Sequence, residues 1–384
     1  PGWLILILFA TGLSGAPSYA QSTAPPYLIV PQAAHTLQSA DESKTRPLSV
    51  EESHVMTVGN SPAFHLEFAD VRDGTGRGFD DPQQGLNRQA IAVSVFERIS
   101  LVLSGEPGDA RIVIGSSSPW LNQDTLAIGI PYFQCIDGFQ KPIIHDALRN
   151  GVHIHDREGE LLVNFDLPLS ASLSMPPSGQ YDLYTLLYHE MIHILGFVGF
   201  TVESDGRPQD CGGARMLPAI ARYATDGLGG ALWTDEGGEI QFLGSPGDLP
   251  AAQEPVQLDV PHAPEALRLA TGALRVSGHW LPGDFDQRNG VLMLREPFPS
   301  GEIRRNMTPE TKAILENVLE YQVNQDARGL SGAWVDSVLN GQGFTLHFIS
   351  ADRFVIYFYG FSDNGERLWT LGVHDGVFKL GDTL

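Results

Sequence analysis

Apolar residues recur along this chain with two periods, and the change from one to the other marks out its elements. Phe64-His65-Leu66-Glu67-Phe68 alternates as a half-buried strand does, whereas Arg88 to Leu103 carries Ile91, Val95, Ile99 and Val102 at helical spacing. Arg111 to Ile114 and Ala127 to Phe133 are short apolar runs that predict buried strands. His145 to Asn150 predicts a short helical turn and Leu161 to Phe165 another strand. Strands and helices in this order predict a twisted mixed sheet with helices packed on it, an α+β fold. The densest apolar stretch is Tyr181 to Phe200. In it Leu183, Leu186, Leu187, Ile192, Ile194 and Leu195 would cover the buried side of a helix, with Asp182 as its N-terminal cap and Gly196 as its stop.

Beyond that helix the pattern loosens. Thr201 to Ala270 is rich in Gly, Pro and Asp, which predicts a long irregular segment that shapes a cleft rather than a core. Within it, Leu217 to Ala224 predicts a helix, and Ala231 to Thr234 with Ile240 to Leu243 a hairpin around Glu236-Gly237-Gly238. A helix capped by Thr308, with Pro309 in its first turn and an apolar face of Ile314, Leu315, Val318 and Leu319, is predicted to run to Tyr321. From Gly329 onward short alternating strands are separated by turns at Asn340-Gly341, Ala351-Asp352 and Asp363-Asn364-Gly365. They predict an antiparallel all-β module, small and incomplete, whose aromatic residues form its core rather than a ligand platform.

Composition adds a setting. The net charge of −22 arises from 46 acidic against 24 basic residues without any Lys/Arg cluster, which disfavours nucleic acid as a partner. Trp3 to Gly12 is an apolar run followed by Ser18-Tyr19-Ala20, the layout of a partial secretory signal cleaved near Ala20. The run is too short for a membrane span. Residues 21–62 read as a flexible leader or short pro-segment, residues 63–326 as the main domain and 327–384 as the β module. Cys135 and Cys211 are the two cysteines, and an even count in an exported chain predicts one disulfide, two separate buried thiols being the alternative. A monomer is expected.

The chemistry lies in His189-Glu190-Met191-Ile192-His193. Four helical residues advance about 400°, so two histidines in H-E-x-x-H spacing share a helix face and can share a metal ion. Glu190, directly after the first, stands where it can take a proton from a metal-bound water. The plain alternative is a core helix with two satisfied histidines. A catalytic zinc also needs a third protein ligand. His145, His153 and His155 precede the motif at no ligand spacing, and Glu203, Glu236 and Glu239 lie on no convincing second helix.

HEMIHILGF resembles the metzincin signature H-E-x-x-H-x-x-G-x-x-H through Gly196, but Gly199 occupies the place of its third histidine. The leishmanolysin-like branch keeps H-E-x-x-H-x-x-G-F and takes its third histidine from far downstream. DLYTLLYHEMIHILGF, then GHW, VLML and MTPETKAILENVLEY, resemble secreted bacterial relatives of that branch over about Phe64 to Tyr321. The resemblance implies a metzincin-like catalytic domain with a loop-rich C-terminal subdomain, and a secreted zinc endopeptidase acting on protein or peptide substrates. It implies one zinc ion on His189, His193 and His279, Glu190 as general base and Met293 in the turn beneath the metal. His262 is the rival third ligand and Met307 the rival turn methionine. It also implies that extended substrate pairs with the strand before the active-site helix, Leu161 to Phe165. Calcium is weakly suggested by Asp80-Asp81 and by Asp284-Phe285-Asp286, but the latter is out of register with an EF-hand loop, with Arg295 where Glu is needed. A functional alternative is an inactive metal-binding secreted protein whose β module holds a surface or polymer.

Overall fold

Phe64, Leu66 and Phe68 point inward from strand β3 (Ala63–Phe68), and the main sheet of this computed structural model grows from that strand. The structure describes residues 4–6, 55–59, 61–116, 125–208, 210–211, 214–226, 228–244, 256–261, 267–272, 275–280, 291–293, 300–305, 307–323, 332–335, 343–350, 353–361 and 367–375. By Cα proximity the chain divides into two units, residues 1–100 with 105–322, and residues 101–104 with 323–384.

The first unit is built on a six-stranded mixed sheet. With β1 (Leu4–Leu6), β2 (Val55–Val58), β4 (Asp109–Gly115) and β5 (Ala127–Gln134), its order is β1, β5, the Gly159–Val163 strand, β4, β3, β2. The three central strands run parallel, and β2 and β5 are antiparallel to their neighbours. The sheet begins before Phe64, because Val55–Val58, in the segment expected to be a flexible leader, pairs with β3. β1 pairs with β5, Ile5 opposite Phe133. The Gly159–Val163 strand is paired on both sides, to β4 and to β5. Leu161 and Leu162 therefore have no free edge, and the expectation that substrate pairs with Leu161 to Phe165 is corrected for that part of the stretch.

Helix α1 (Ala69–Asp73) follows β3 and helix α2 (Gly85–Val102) packs on the sheet, its Phe96 ring 5.3 Å from Phe64. Helix α3 (Ile143–Asn150) stops at Gly151, whose φ of 64° a residue with a side chain takes up reluctantly. Helix α4 (Leu183–Ile194) starts at Asp182, whose side chain accepts the Thr185 N–H at 3.1 Å. Every residue of α4 but Tyr184 is buried. Two-sided burial takes the helix beyond the one-sided apolar stripe that the sequence predicts. Glycines seat α4: a Cβ on Gly129 of β5 would lie 2.2 Å from the Glu190 carbonyl oxygen, and one on Gly159 2.6 Å from the Ile194 side chain.

The segment after α4 contains more regular structure than its composition predicts. Phe200–Thr201, Arg275–Trp280, Leu267–Gly272, Val256–Leu258 and Ala224–Thr225 form, in that order, a five-stranded antiparallel sheet. Instead of a helix over Leu217 to Ala224 there is a strand, Ala214–Pro218, then a short 3-10 turn at Ala219–Tyr223. Pro218 stands at the junction, and it cannot donate a main-chain hydrogen bond to extend either element. The hairpin pairs Trp233–Glu236 with Glu239–Phe242 around Gly237-Gly238. Cys135 and Cys211 form a disulfide, and the Cys211 side packs with Phe133, Val198 and Met216. Helix α5 (Pro309–Ala313), capped by Thr308, continues as a π-turn over Ile314–Val318 and ends before Tyr321, where Glu320 takes φ 60°.

In the second unit Gly332–Val335, Gly343–Ser350, Arg353–Phe361 and Arg367–Asp375 make an antiparallel four-stranded meander. Its aromatics are divided rather than uniformly internal. Phe354 is buried, while Tyr357 and Phe361 are exposed; the side chains of Trp334 and Trp369 lie outside the described residues.

Candidate metal centre

Helix α4 presents His189 and His193 one turn apart, and the Arg275–Trp280 strand brings His279 to the same point. All three are buried. Their Nε2 atoms form a triangle: 3.1 Å from His189 to His193, 3.0 Å from His189 to His279 and 3.3 Å from His193 to His279.

The other ring nitrogens identify what these atoms are. The Nδ1–H of His189 donates to the Leu292 carbonyl at 2.7 Å, and that of His193 to the Phe197 carbonyl at 2.7 Å. A carbonyl only accepts, so in the neutral ring the proton sits on Nδ1 and Nε2 carries a lone pair. The contact between His189 and His193 is therefore lone pair against lone pair in a buried site. A shared cation removes that repulsion. The spacing suits one: tetrahedral nitrogen ligands at about 2.05 Å from an ion stand about 3.3 Å apart. Burial pushes both histidines toward the neutral form that ligation requires. It lowers His193 to about 4, and it takes His189, which also faces His193, well below its ordinary 6.5.

Glu190, the residue after His189 on α4, is fully buried. Its Oε2 accepts the backbone N–H of Gly129 at 2.8 Å, so the strand on which α4 rests also orients the carboxylate. Gly196, with φ 112°, reverses the chain just after α4 and lets the Phe197 carbonyl face back to His193. Leu292 and the fully buried Met293 belong to a short turn placed against His189 through the Leu292 carbonyl. Met307 is also buried but directly precedes the Thr308 cap of α5.

The remaining candidates lie elsewhere. His145 packs on Tyr321, their ring centroids 5.3 Å apart; His153 contacts Glu158 and Asp109; His155 pairs with Asp156. Glu203 pairs with Arg215, and exposed Glu236 and Glu239 face each other across the hairpin. Asp80 accepts the Gly76 N–H, and Asp81 accepts those of Gln83 and Gln84, so both carboxylates serve their own loop. His262 and Asp284 to Asp286 are outside the described residues. Gly129 and the carbonyls of Phe197 and Leu292 could not be picked out from sequence, because each acts through its backbone. For Phe197 the neighbouring Gly196 was the one available hint.

Fold and site together define a mixed α/β chain with a buried three-histidine group that could hold a metal ion. Among the described residues no helix is long and apolar enough to cross a membrane. No known family model, curated protein or solved structure matches the chain.

Proposed function

We propose that this protein is a secreted zinc endopeptidase of the metzincin kind, related to the leishmanolysin-like branch. The observation that carries the reading is the triangle of three histidine Nε2 atoms, with buried Glu190 next to His189 on the same helix. His189, His193 and His279 would hold the ion and Met293 is the methionine of the adjoining turn. A zinc ion bound there supplies a Lewis acid and a water whose pKa falls to about 7.

The chain's own residues do the rest. Glu190, fixed by the Gly129 N–H, takes the proton of the attacking water and passes it to the leaving amine. The carbonyls of Phe197 and Leu292 keep the Nδ1 protons of His193 and His189 in place, which leaves Nε2 to the metal. The Cys135–Cys211 disulfide suits an exported protein.

The test is casein hydrolysis by the purified protein with and without a chelator, together with Glu190→Gln. Hydrolysis should require zinc and fall by about 100- to 10,000-fold in the variant, the usual range for a lost acid–base group, with zinc still bound. Undiminished cleavage by Glu190→Gln would sink the assignment of the base, and absence of bound zinc in the wild-type protein would sink the metal.

A further inference from the structure

We infer that Gly199 and Gly278 are positioning residues for the metal ligands, and that their backbone contact sets the place of His279. This rests on the zinc reading above. Gly199 stands where the compact signature has its third histidine. In this fold that position is the seat of the strand that delivers the ligand from elsewhere. Phe200 pairs with Val276 and Thr201 with Arg275, so the chain leaving α4 and the chain arriving at His279 meet as antiparallel neighbours.

The approach is closer than side chains allow. A Cβ on Gly199 would lie 2.0 Å from the Val276 carbonyl oxygen and 2.9 Å from the Gly278 nitrogen. One on Gly278 would lie 2.8 Å from the Gly199 nitrogen and 2.9 Å from the Phe197 carbonyl oxygen. That same Phe197 oxygen accepts the His193 Nδ1–H. The contact therefore borders two ligands, His279 as the next residue after Gly278, and His193 through the carbonyl that fixes its tautomer. A methyl group at either glycine has to push the His279 strand off α4 or turn the carbonyl away. It follows that a histidine at 199 cannot restore the compact ligand set here: it would displace the existing third ligand before adding its own.

The experiment measures zinc affinity by competition with a chromophoric chelator, in the full chain. Gly199→Ala should fold, with its disulfide formed, and bind zinc about 10- to 100-fold more weakly, the range for residues that orient ligands. Gly199→Ala combined with His279→Ala should weaken binding clearly less than the two single changes added, because the glycine acts largely through that ligand. Wild-type affinity in folded Gly199→Ala, or full additivity in the double variant, overturns the inference. If Gly199→Ala does not fold, Gly278→Ala decides by the same readout, and failure of both to fold assigns the contact to overall folding and overturns it too. A wild-type protein that binds no zinc would instead refute the metal reading itself.

Discussion

Replacing Asp182 by alanine should loosen the helix that carries the site before it touches the site. The Asp182 side chain is almost fully buried and has three kinds of partner. Its Oδ2 accepts the Thr185 N–H at 3.1 Å and the Thr185 hydroxyl at 2.5 Å. Arg305 meets it bidentately, Nε to Oδ2 at 2.8 Å and Nη2 to Oδ1 at 2.7 Å. Loss of an N-cap costs about 1 kcal/mol. Removing one partner of a buried ion pair costs about 3–5 kcal/mol, because the other charge is left behind. Arg305 keeps 21% of its side chain exposed, also donates to the Leu173 carbonyl and lies over the Tyr184 ring, so water and these partners soften the penalty. The expected total is about 3 kcal/mol, a large share of the roughly 5–15 kcal/mol that holds a domain together. Urea unfolding of the metal-free protein at neutral pH measures it as a lower midpoint at unchanged slope. Asp182→Ser, which retains a capping oxygen, should recover about 1 kcal/mol. Asp182→Ala with Arg305→Met should cost clearly less than the two single changes added, since no unpaired charge remains. A loss below about 1 kcal/mol in Asp182→Ala, or strict additivity in the double variant, would refute this account of the helix start.

Three further outcomes follow from the same geometry. His193 is held at about 4 in the folded protein against an ordinary 6.5, so the unfolded chain binds more protons between those values. Stability of the metal-free protein should be complete above about pH 6.5 and fall as pH drops toward 4, by about 3 kcal/mol from this residue at about 1.36 kcal/mol per pH unit; a flat profile, or one unchanged in His193→Asn, contradicts it. Breaking the Cys135–Cys211 bond, which spans 76 residues, should cost about 4.5 kcal/mol by loop entropy, read by thermal unfolding of Cys135→Ser/Cys211→Ser against the oxidised wild type. Free zinc at 100 times its dissociation constant should add about 2.7 kcal/mol of stability, an increment that His279→Ala should largely abolish at the same zinc concentration.

The four inner strands of the main sheet and α4 were legible because their signals are local, whereas Leu4–Leu6 and Val55–Val58 were not read as strands. β3 alternates cleanly, α2 and α4 keep helical periods, and Asp182 and Thr308 cap helices as their positions predict. The five-stranded sheet was not, because several of its strands are two or three residues long and too short to show a period. The helix expected at Leu217 gave way at Pro218, and the end of α5 widened into a π-turn that no propensity announces. In the site, H-E-x-x-H placed two histidines and one glutamate by helix geometry alone. His279 came from a family resemblance, since nothing in its own neighbourhood states which distant residue it meets. The contribution of Gly129 lay deeper still, in a backbone N–H that every residue but proline possesses.

The pairing of Thr201 with Arg275 has a consequence for how such a protein can change. The chain departs and returns at neighbouring positions of one sheet, a closed neck, and between them it is tied again at Cys211, bonded to Cys135, and at Ala214–Pro218, paired with Gly138–Gln140. Lengthening a loop closed in this way costs only about 0.6 kcal/mol for each doubling. Insertions are then cheapest at exposed turns of this span, such as that at Gly237 in the hairpin, so long as the neck, its glycines, the Cys135–Cys211 bond and the paired strands are kept. Descendants of one such chain could differ greatly in size and in what they recognise while presenting the same three imidazoles.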